Sequence, residues 1–365
     1  MSPAVLIAGG GTGGHLFPGV AVAQAMRAQR PEITVTFVGA GRALESRALA
    51  AAGFTAEKLS ARAVRGTGWW GRIKALALLP GAVLRARGFI KRYRPALVLA
   101  VGGYAAFPLG VAAWLSRVPL AVQEQNAVPG LTNRALARLA QRVFVSFEQC
   151  LKHLPAGKSR LVGNPVRPEL LRQAAATERP AGGRPFTVLV VGGSQGAHSI
   201  NQAMVEAMPR LAARAEELAF IHQSGPQDQA EVAQAYQEHG LRAEVAAFFS
   251  DMGRAYGAAH LVFCRAGAGT LTEALAVGRA VVAVPYPYAA GDHQAHNARA
   301  LAAAGTALVV ADHELDGRRA AGLILELMDD EPRRRAMEEA AGSLARPRAA
   351  QEIAGQCLAL MKEAS

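Results

Sequence analysis

One stretch near the start of the chain combines glycines with the first histidine. The segment Gly9–His15 contains five glycines and a threonine, follows the apolar run Val5–Ala8, and precedes a helix expected over Leu16–Arg27. Glycine permits positive φ and lets a ligand approach the backbone without an intervening Cβ. The N–H groups at a helix start favour negative charge. The segment is therefore typical of a site for phosphate, or for an oxygen that becomes negative in a reaction, with His15 beside it for proton transfer.

The same glycines also raise the possibility of a dinucleotide site. Three of them match the G-x-G-x-x-G pattern, which further requires an acidic residue about 20 positions later, at the end of the second strand. The second expected strand, Thr34–Val38, ends in the segment Gly39–Arg42, which has no carboxylate, and Glu45 follows too late. Nicotinamide binding is therefore the weaker hypothesis.

Other polar residues follow further expected strands. Tyr104 follows a second glycine turn at the end of one strand, and Glu124 and Asn126 follow the next strand along the chain. Because ligands of open parallel sheets bind beyond the carboxyl ends of the strands, we expect these residues to meet His15 at one edge. A turn or cap role explains each residue singly, and their convergence is what favours a functional site.

The pattern of apolar strand, glycine turn and helix occurs twice. Thr187–Val191 leads into the glycine turn Gly192–Ala197, and a helix is expected from about Ser199. Strands and helices alternate on both sides of a Pro/Gly-rich linker, Ala174–Pro185. With a length of 365 residues, this pattern predicts an α/β protein of two Rossmann-like domains, each built on a doubly wound parallel sheet.

Composition limits the classes of partner. The chain is 51% hydrophobic and 19% charged, so large cores can form, and its net charge of +12 favours nucleic acid, anionic membrane or phosphorylated substrates as partners. Aromatic residues make up only 6% and no RNA-binding signature occurs, so we expect no nucleic-acid partner. Three scattered cysteines indicate no disulfide framework or zinc site, and no D-x-D pair occurs, so we expect no essential metal and no cofactor.

The segment Thr67–Arg94 mixes apolar and basic side chains without a single acidic residue. A basic amphipathic helix with tryptophan can lie in a lipid interface, near anionic head groups. The alternative is an ordinary helix packed on the sheet with a solvated basic face. The candidate residues for membrane association are Trp69, Trp70, Ile73, Leu76, Arg85, Arg87 and Phe89.

A neighbouring stretch is long enough to cross a bilayer. Ala96–Ser116 comprises 21 residues without a charge. Two glycines and Pro108 interrupt it, so we expect a strand, a glycine loop and a buried helix instead.

No single motif identifies a family, but one ordered set does. The set consists of the first glycine turn with His15, Gly102-Gly103-Tyr104, Glu124-Gln125-Asn126, Gly163–Arg167, Gly192–Ala197, Arg265–Glu273 and Asp292-His293-Gln294. This set resembles the MurG family of bacterial N-acetylglucosaminyltransferases over nearly the whole chain. The resemblance implies the GT-B architecture, in which two Rossmann-like domains face each other across a cleft. Residues 1–166 would form the acceptor and membrane-associating domain and residues 167–346 the UDP-GlcNAc-binding domain, with a helix at about 347–365 returning to the first.

The resemblance also implies an activity. The family moves N-acetylglucosamine from UDP-GlcNAc to the 4-hydroxyl of the MurNAc of lipid I, with inversion, and so forms lipid II for peptidoglycan synthesis, cell shape and cell division. It implies a peripheral protein at the cytoplasmic face of the inner membrane. The implied partners are UDP-GlcNAc, lipid I, an anionic membrane surface and other cell-wall synthesis proteins.

Two alternatives remain at this point. One is another GT-B enzyme with a soluble acceptor, such as a sugar-nucleotide epimerase. The other is a non-catalytic protein that binds a nucleotide sugar. The basic segment with two tryptophans argues against the first, and His15 beside the glycine turn argues against the second.

Matching positions carry the family's site residues over to this chain. The resemblance assigns the ribose to Glu273, the sugar hydroxyls to Gln294 and uracil to the backbone of Phe249. The transferred sugar or the acceptor pyrophosphate would meet Asn126 and the turn residues Thr12, Gly13 and Gly14. The remaining donor contacts would come from Arg167, Ser194, Ala268, Gly269, Thr270, Leu271 and Thr272.

One position departs from the family. Gln123 stands where the family often has histidine before Glu-Gln-Asn, so we place no titratable base there. The attacking hydroxyl must lose a proton, and His15 is the candidate general base. The alternative is that His15 only hydrogen-bonds the diphosphate or the loop. Tyr104 and Glu124 are the candidates on the acceptor side.

Overall fold

Two compact units make up the chain. Unit 1 comprises Met1–Arg167 with Pro347–Ser365, and unit 2 comprises Pro168–Arg346. The computed structural model describes residues 3–10, 13–59, 69–179, 184–193 and 195–363, without the side chains of residues 43–44, 69–77 and 290. The boundary after Arg167 is one residue later than expected.

The described residues form thirteen strands, in two parallel sheets. Unit 1 contains β1 (Ala4–Ala8), β2 (Thr34–Gly39), β3 (Thr55–Lys58), β4 (Leu97–Ala100), β5 (Leu120–Glu124), β6 (Arg142–Val145) and β7 (Ser159–Leu161). Unit 2 contains β8 (Phe186–Val191), β9 (Leu218–Gln223), β10 (Arg242–Ala246), β11 (Leu261–Arg265), β12 (Ala280–Val284) and β13 (Ala307–Val309).

The α-helices alternate with these strands. Those between the strands of unit 1 are α1 (Gly13–Gln29), α2 (Ala43–Ala51), α3 (Trp69–Tyr93), α4 (Ala106–Leu115) and α5 (Leu131–Leu139). Those of unit 2 are α6 (Pro168–Ala175), α7 (His198–Leu211), α8 (Gln229–Glu238), α9 (Met252–Ala258), α10 (Ala268–Ala276), α11 (His293–Ala303), α12 (Gly317–Asp329) and α13 (Glu331–Leu344). The terminal helix α14 (Ala349–Glu363) belongs to unit 1.

Each sheet reverses its strand order once. The order is β3-β2-β1-β4-β5-β6-β7 in unit 1 and β10-β9-β8-β11-β12-β13 in unit 2. The reversal lies between β1 and β4 in one sheet and between β8 and β11 in the other. Ligands of open parallel sheets bind beyond the carboxyl ends of the strands at such a point. The two glycine turns follow β1 and β8, so both stand at a reversal.

Both faces of each sheet are covered, which explains the continuous apolar strands. In β1, Val5 and Ile7 pack with residues of α1 and α14, whereas Leu6 and Ala8 pack with residues of α3, α4 and α5. In β8, Phe186 packs with residues of α7, α8 and α12. Helix α14 thus completes one face of the sheet of unit 1.

These observations confirm the predicted α/β class with two Rossmann-like parallel sheets. Two short edge strands, β7 and β13, were not expected. Helix α1 begins at Gly13, earlier than expected, and α4 includes Pro108. Among the described residues, no helix is long and apolar enough to cross a membrane.

Candidate active site

The turns that follow β1 and β4 meet at His15. Gly102 has φ +102, and a Cβ built on it would lie 2.5 Å from Cδ2 and 2.8 Å from Nε2 of His15. The same Cβ would lie 3.6 Å from Nδ2 of Asn133. The imidazole therefore rests on a backbone position that only glycine allows, and any side chain at Gly102 would displace the ring. His15 is partly exposed, so its ring can reach a bound molecule.

The backbones of the two turns are equally close. A Cβ built on Gly103, which has φ +85, would lie 2.6 Å from the carbonyl oxygen of Gly10. Tyr104 follows in the same turn and is 41% exposed. Gly13 and Gly14 open α1, while Thr12 lies outside the described residues. The structure thus brings His15, Gly13, Gly14 and the turn before Tyr104 to one edge of the sheet.

Glu45 corrects an expectation about this edge. Although it comes late in the sequence, α2 returns its carboxylate to the ends of β1 and β2. A Cβ on Gly10 would lie 2.3 Å from Oε1 of Glu45, and a Cβ on Gly39 would lie 1.6 Å from the same atom. The residue is 4% exposed, and Oε2 has no hydrogen-bond partner among the described residues. An acidic group does stand beside the first glycine turn, placed there by the fold and not by the spacing.

Glu124 holds the loop after β5. One carboxylate oxygen accepts from the backbone N–H and the side-chain amide of Asn126, each at 3.0 Å. The other accepts from the backbone N–H of Gly130 at 3.0 Å and from Nδ2 of Asn133 at 2.9 Å. Glu124 is 1% exposed. These contacts fix the position of Asn126. They place the buried carboxylate of Glu124 beneath the loop that follows β5.

Gln123, the position that departs from the family, lies in a buried amide network. Its Nε2 donates to Oδ1 of Asn164 at 3.1 Å and to the hydroxyl of Ser146 at 3.4 Å. Gln125 is hydrogen-bonded to Gln123 and donates to the carbonyl of Val101 at 2.8 Å. Gln123 is fully buried, so in this chain the side chain at this position supports the residues at the carboxyl edge of the sheet from within the core.

Arg167 ends unit 1. Its guanidinium carbon lies 4.7 Å from the ring centroid of Phe17, in the first turns of α1, an arrangement that gives a cation–π attraction. Its Nε is buried and has no hydrogen-bond partner among the residues that the structure describes. The arginine is therefore held against the helix that begins at the first glycine turn.

In unit 2, the turn after β8 packs against the end of β9. A Cβ on Gly196, which has φ +77, would lie 2.0 Å from the carbonyl oxygen of Ser224. A Cβ on Gly225 would lie 2.5 Å from the carbonyl oxygen of Gln195. The predicted diphosphate contact Ser194 lies outside the described residues. Only residues without side chains permit these two backbone segments to approach so closely.

Helix α10 presents an open N-terminus after β11. No atom lies within 4 Å of a Cβ built on Gly267 or on Gly269. Leu271 is fully buried and Ala268 nearly so, and these two can offer a ligand only backbone groups. Thr270 and Thr272 are partly exposed, and the hydroxyl of Thr272 donates to the carbonyl of Ala268 at 2.5 Å. The helix start can therefore receive an anion.

Two further predicted donor residues are held by specific contacts. Oε2 of Glu273 accepts from the hydroxyl of the buried Tyr256 at 3.1 Å, which orients the carboxylate. Oε1 of Gln294 accepts from the backbone N–H of Tyr286 at 2.9 Å, so its amide nitrogen points away from that loop. Both side chains are partly exposed.

Two residues near the turns of unit 2, Gln223 and Arg265, were given no site role by sequence reasoning. Gln223 donates to the carbonyl of Gly193 at 3.0 Å, and its Oε1 accepts from the backbone N–H of Phe249 at 3.1 Å. Arg265 pairs with Asp312 at 2.5 Å and donates to the hydroxyl of Ser199. Gln223 and Arg265 each end a strand beside the reversal, which is the signal that could have found them.

Comparisons with known proteins agree with this arrangement. The N-terminal domain of glycosyltransferase family 28 matches residues 5–145, and its C-terminal domain matches residues 187–353. The chain belongs to glycosyltransferase family 28. This membership confirms the resemblance drawn from the ordered motifs.

Two relatives of this family 28 chain carry the same name, UDP-N-acetylglucosamine–N-acetylmuramyl-(pentapeptide) pyrophosphoryl-undecaprenol N-acetylglucosamine transferase. The protein of Myxococcus xanthus is 44% identical over 98% of this chain and 93% of its own length. That of Geobacter sulfurreducens is 44% identical over 97% of this chain and 98% of its own.

Solved structures share the fold of this family 28 chain. MurG of Acinetobacter baumannii has a TM-score of 0.78 with 30% identity, covering 98% of this chain and 99% of its own. A UDP-N-acetylglucosamine 2-epimerase has a TM-score of 0.67 with 16% identity, covering 97% of this chain and 95% of its own. At that identity the likeness to the epimerase concerns the fold alone.

An exposed apolar surface lies on α3 and α4 of the family's N-terminal domain. Large apolar side chains are exposed on both helices: Leu78, Leu84, Trp114 and Leu115. Arg85 and Arg87 are exposed on α3, and Arg117 is exposed two residues after the end of α4. We call these seven residues the α3–α4 surface. Exposed large apolar side chains close to exposed cations in the chain are candidates for an interaction site.

The α3–α4 surface differs in part from the expected residues. The side chains of Trp69, Trp70, Ile73 and Leu76 lie outside the described part of the chain. Phe89, which was expected to face a membrane, packs against the core of unit 1 and is only partly exposed. Trp114 and Leu115 were not expected, because they come from a different helix.

The described residues contain no cluster of three or more side chains that could hold a metal ion.

Proposed function

We propose that this chain transfers N-acetylglucosamine from UDP-GlcNAc to the MurNAc of an undecaprenyl-pyrophosphoryl-linked acceptor, which converts lipid I to lipid II. The observation that carries the proposal is the 44% identity, over nearly the full length of both chains, to transferases named for this reaction. Turns and helix starts suited to phosphate at the reversal of both sheets support it.

The donor binds to unit 2 in this proposal. Its diphosphate is received by the turn after β8, which includes Ser194, and by the start of α10, from Ala268 and Gly269 to Thr270, Leu271 and Thr272. Arg167 is proposed as a further donor contact on the ground of its positive charge. The carboxylate of Glu273, oriented by Tyr256, accepts from the ribose hydroxyls. Gln294 contacts the sugar. The carbonyl oxygen of Phe249 faces uracil, because the N–H of Phe249 already donates to Oε1 of Gln223.

The acceptor reacts at unit 1. His15 accepts the proton of the acceptor 4-hydroxyl as its oxygen forms a bond to the anomeric carbon of the donor sugar. The bond from that carbon to the diphosphate breaks in the same step, UDP leaves with the electron pair, and the configuration inverts to a β-1,4 link. N–H groups at helix starts stabilise the charge that develops on the departing diphosphate.

Other residues of unit 1 orient the acceptor. Asn126, Tyr104 and the turn residues Thr12, Gly13 and Gly14 contact the transferred sugar or the acceptor pyrophosphate. Glu124 acts beneath them, because its buried carboxylate fixes the loop that presents Asn126. Glu124 is therefore proposed as a positioning residue.

The acceptor is lipid-linked, so unit 1 must meet a bilayer surface. We propose that the α3–α4 surface makes this contact as a peripheral association, at the cytoplasmic face of the inner membrane. Its apolar side chains enter the interface, and its three arginines lie near anionic head groups. Basic residues at the end of α3 extend the same charge.

The test is product analysis with radiolabelled UDP-GlcNAc and a short-chain lipid I analogue. We expect one labelled disaccharide lipid and one UDP for each turnover, also after exhaustive EDTA treatment, because the chain has no D-x-D pair. A labelled soluble product, or epimerised UDP-sugar without an acceptor, would support the soluble GT-B alternative. Donor binding without any product would support the non-catalytic alternative.

A further inference from the structure

A buried glutamine joins two parts of unit 2 that the proposed function uses separately. Gln223 ends β9 and is 3% exposed. Its Nε2 donates to the carbonyl oxygen of Gly193 at 3.0 Å, and its Oε1 accepts from the backbone N–H of Phe249 at 3.1 Å. The reversed amide would set oxygen against oxygen and N–H against N–H. Only one orientation therefore satisfies both neighbours.

Gly193, in the first half of the turn after β8, has few other contacts among the residues that the structure describes. Gly193 has φ +91, and no atom lies within 4 Å of a Cβ built on it. Its carbonyl accepts from the N–H of Gly196 at 3.1 Å and from Gln223. The second half of the turn, by contrast, is held by the close packing of Gly196 on Ser224. The side chain of Gln223 thus holds Gly193, which lacks the close backbone packing that Gly192 has on Gly196 and Ala197.

We propose that Gln223 is a positioning residue for the donor, which fixes the separation between the diphosphate turn and the loop that faces the base. This inference rests on the proposed function. A nucleoside diphosphate carries its base on C1′ and its diphosphate on C5′ of the ribose, so separate segments of the protein receive the two groups. A site in which both receiving segments are already fixed loses less conformational freedom on binding.

The end of β9 is anchored independently of this side chain. The N–H of Ser224 donates to the carbonyl of Ala246 at 3.1 Å, and Nδ2 of Asn201 donates to the carbonyl of Ser224 at 2.8 Å. Substituting Gln223 should therefore release the turn and the loop from each other without releasing the strand.

Two variants separate the two contacts. Gln223→Leu keeps the approximate size and removes both hydrogen bonds. Gln223→Glu keeps an acceptor for Phe249 but cannot donate to Gly193. The probes are uridine and UDP, measured as competitive inhibition constants against UDP-GlcNAc. We expect Gln223→Leu to weaken UDP about tenfold, from the loss of two hydrogen bonds, and uridine clearly less. The kcat at saturating donor should stay within about threefold of the parent.

The matched control is Gln202→Leu in α7, a half-buried glutamine whose Nε2 donates to the exposed carboxylate of Glu231 at 2.9 Å. This variant should leave both constants unchanged. The inference is overturned if Gln223→Leu binds UDP within twofold of the parent, or if uridine and UDP lose the same factor. If Gln223→Leu does not fold, Gln223→Glu decides, since it should still weaken UDP more than uridine. A parent that does not bind UDP contradicts the proposed function itself, which the parent measurement shows before any variant is compared.

Discussion

The glycine turns of the two units look alike in sequence but have different surroundings. The turn after β1 has the imidazole of His15 at its edge and the buried carboxylate of Glu45 behind it. The turn after β8 is held by an amide, Gln223, and by backbone packing. We propose that this motif serves proton transfer in unit 1, where the titratable His15 adjoins it, and donor recognition in unit 2, where the amide of Gln223 adjoins it.

The largest expected effect tests the role of His15, the titratable residue at the turn after β1. His15→Ala should lower kcat by about 10²–10⁴-fold, the usual range for a general base, and should change the donor KM far less. The measurement is steady-state kinetics with UDP-GlcNAc and a lipid I analogue. His153→Ala, an exposed histidine of the same unit, is the matched control and should behave as the parent. Near-parental kcat in His15→Ala would leave His15 a binding or structural residue.

The proposed role of unit 2 in donor recognition predicts a loss of donor binding. Glu273→Ala should weaken donor binding by about 1.5–3 kcal/mol, because hydrogen bonds to a charged acceptor are lost. Calorimetry with UDP-GlcNAc measures this loss, and Glu238→Ala in α8, at the surface of the same unit, is the control. Equal affinity of Glu273→Ala and parent would remove the ribose assignment.

The α3–α4 surface adds a second difference between the units. Replacing Arg85 and Arg87 by Glu should weaken binding to anionic vesicles by at least about 2 kcal/mol, since each cation near such a surface contributes about 1 kcal/mol. Co-sedimentation at several salt concentrations measures this, and donor affinity should not change.

The same two charge reversals at Arg318 and Arg319, exposed on α12 of unit 2, are the matched control for this experiment. If both double variants sediment alike, net charge explains the association. If Trp114→Ser and Leu84→Ser have no additional effect, the apolar part of the surface does not enter the lipid.

A smaller expected effect is a pH dependence of the free energy of unfolding, caused by a buried histidine of unit 2. His222 is fully buried in unit 2, where Nε2 lies 3.0 Å from Oδ1 of Asn201 and Nδ1 lies 3.2 Å from the hydroxyl of Tyr236. Burial lowers the pKa of His222 to about 3, against about 6.5 in an unfolded chain. Below pH 6.5 the unfolded chain therefore binds a proton that the folded chain does not.

The free energy of unfolding should consequently fall by about 1.4 kcal/mol for each pH unit below 6.5, until the pH nears the folded-state pKa. Burial likewise lowers the pKa of His260 to about 4 and adds to the slope. Urea unfolding of unit 2 at neutral and acidic pH measures it. His222→Gln should flatten the dependence, and His313→Gln, at an exposed histidine of the same unit, should not. An unchanged slope in His222→Gln would assign the dependence to other groups.

The sequence predicts the sheet architecture well, because both halves alternate apolar strands with helices and glycine turns. It does not predict β7 and β13, since three-residue strands at a sheet edge carry no periodicity. Spacing also misplaces Glu45, because the distance along the chain does not tell how α2 returns to the sheet. Gln223 belongs to none of the motifs and becomes visible only through the contacts of its amide.

Composition also does not predict which face of a helix is exposed. The basic segment is rich in apolar residues, yet Phe89 packs inward while Leu84 is 66% exposed. Trp114 joins the same surface from α4, and only the packing of that helix on α3 places it there.

The central claim is that proton transfer belongs to unit 1 and depends on His15. The most direct measurement is the single-turnover rate with preloaded UDP-GlcNAc, compared between parent and His15→Ala from about pH 5.5 to 8, the range in which histidine changes charge. A protonated imidazole cannot accept the hydroxyl proton, so the parent rate should fall towards acidic pH. His15→Ala should be slower and nearly independent of pH. A variant that retains the parental acidic decline would contradict the claim, because another group would then be the base.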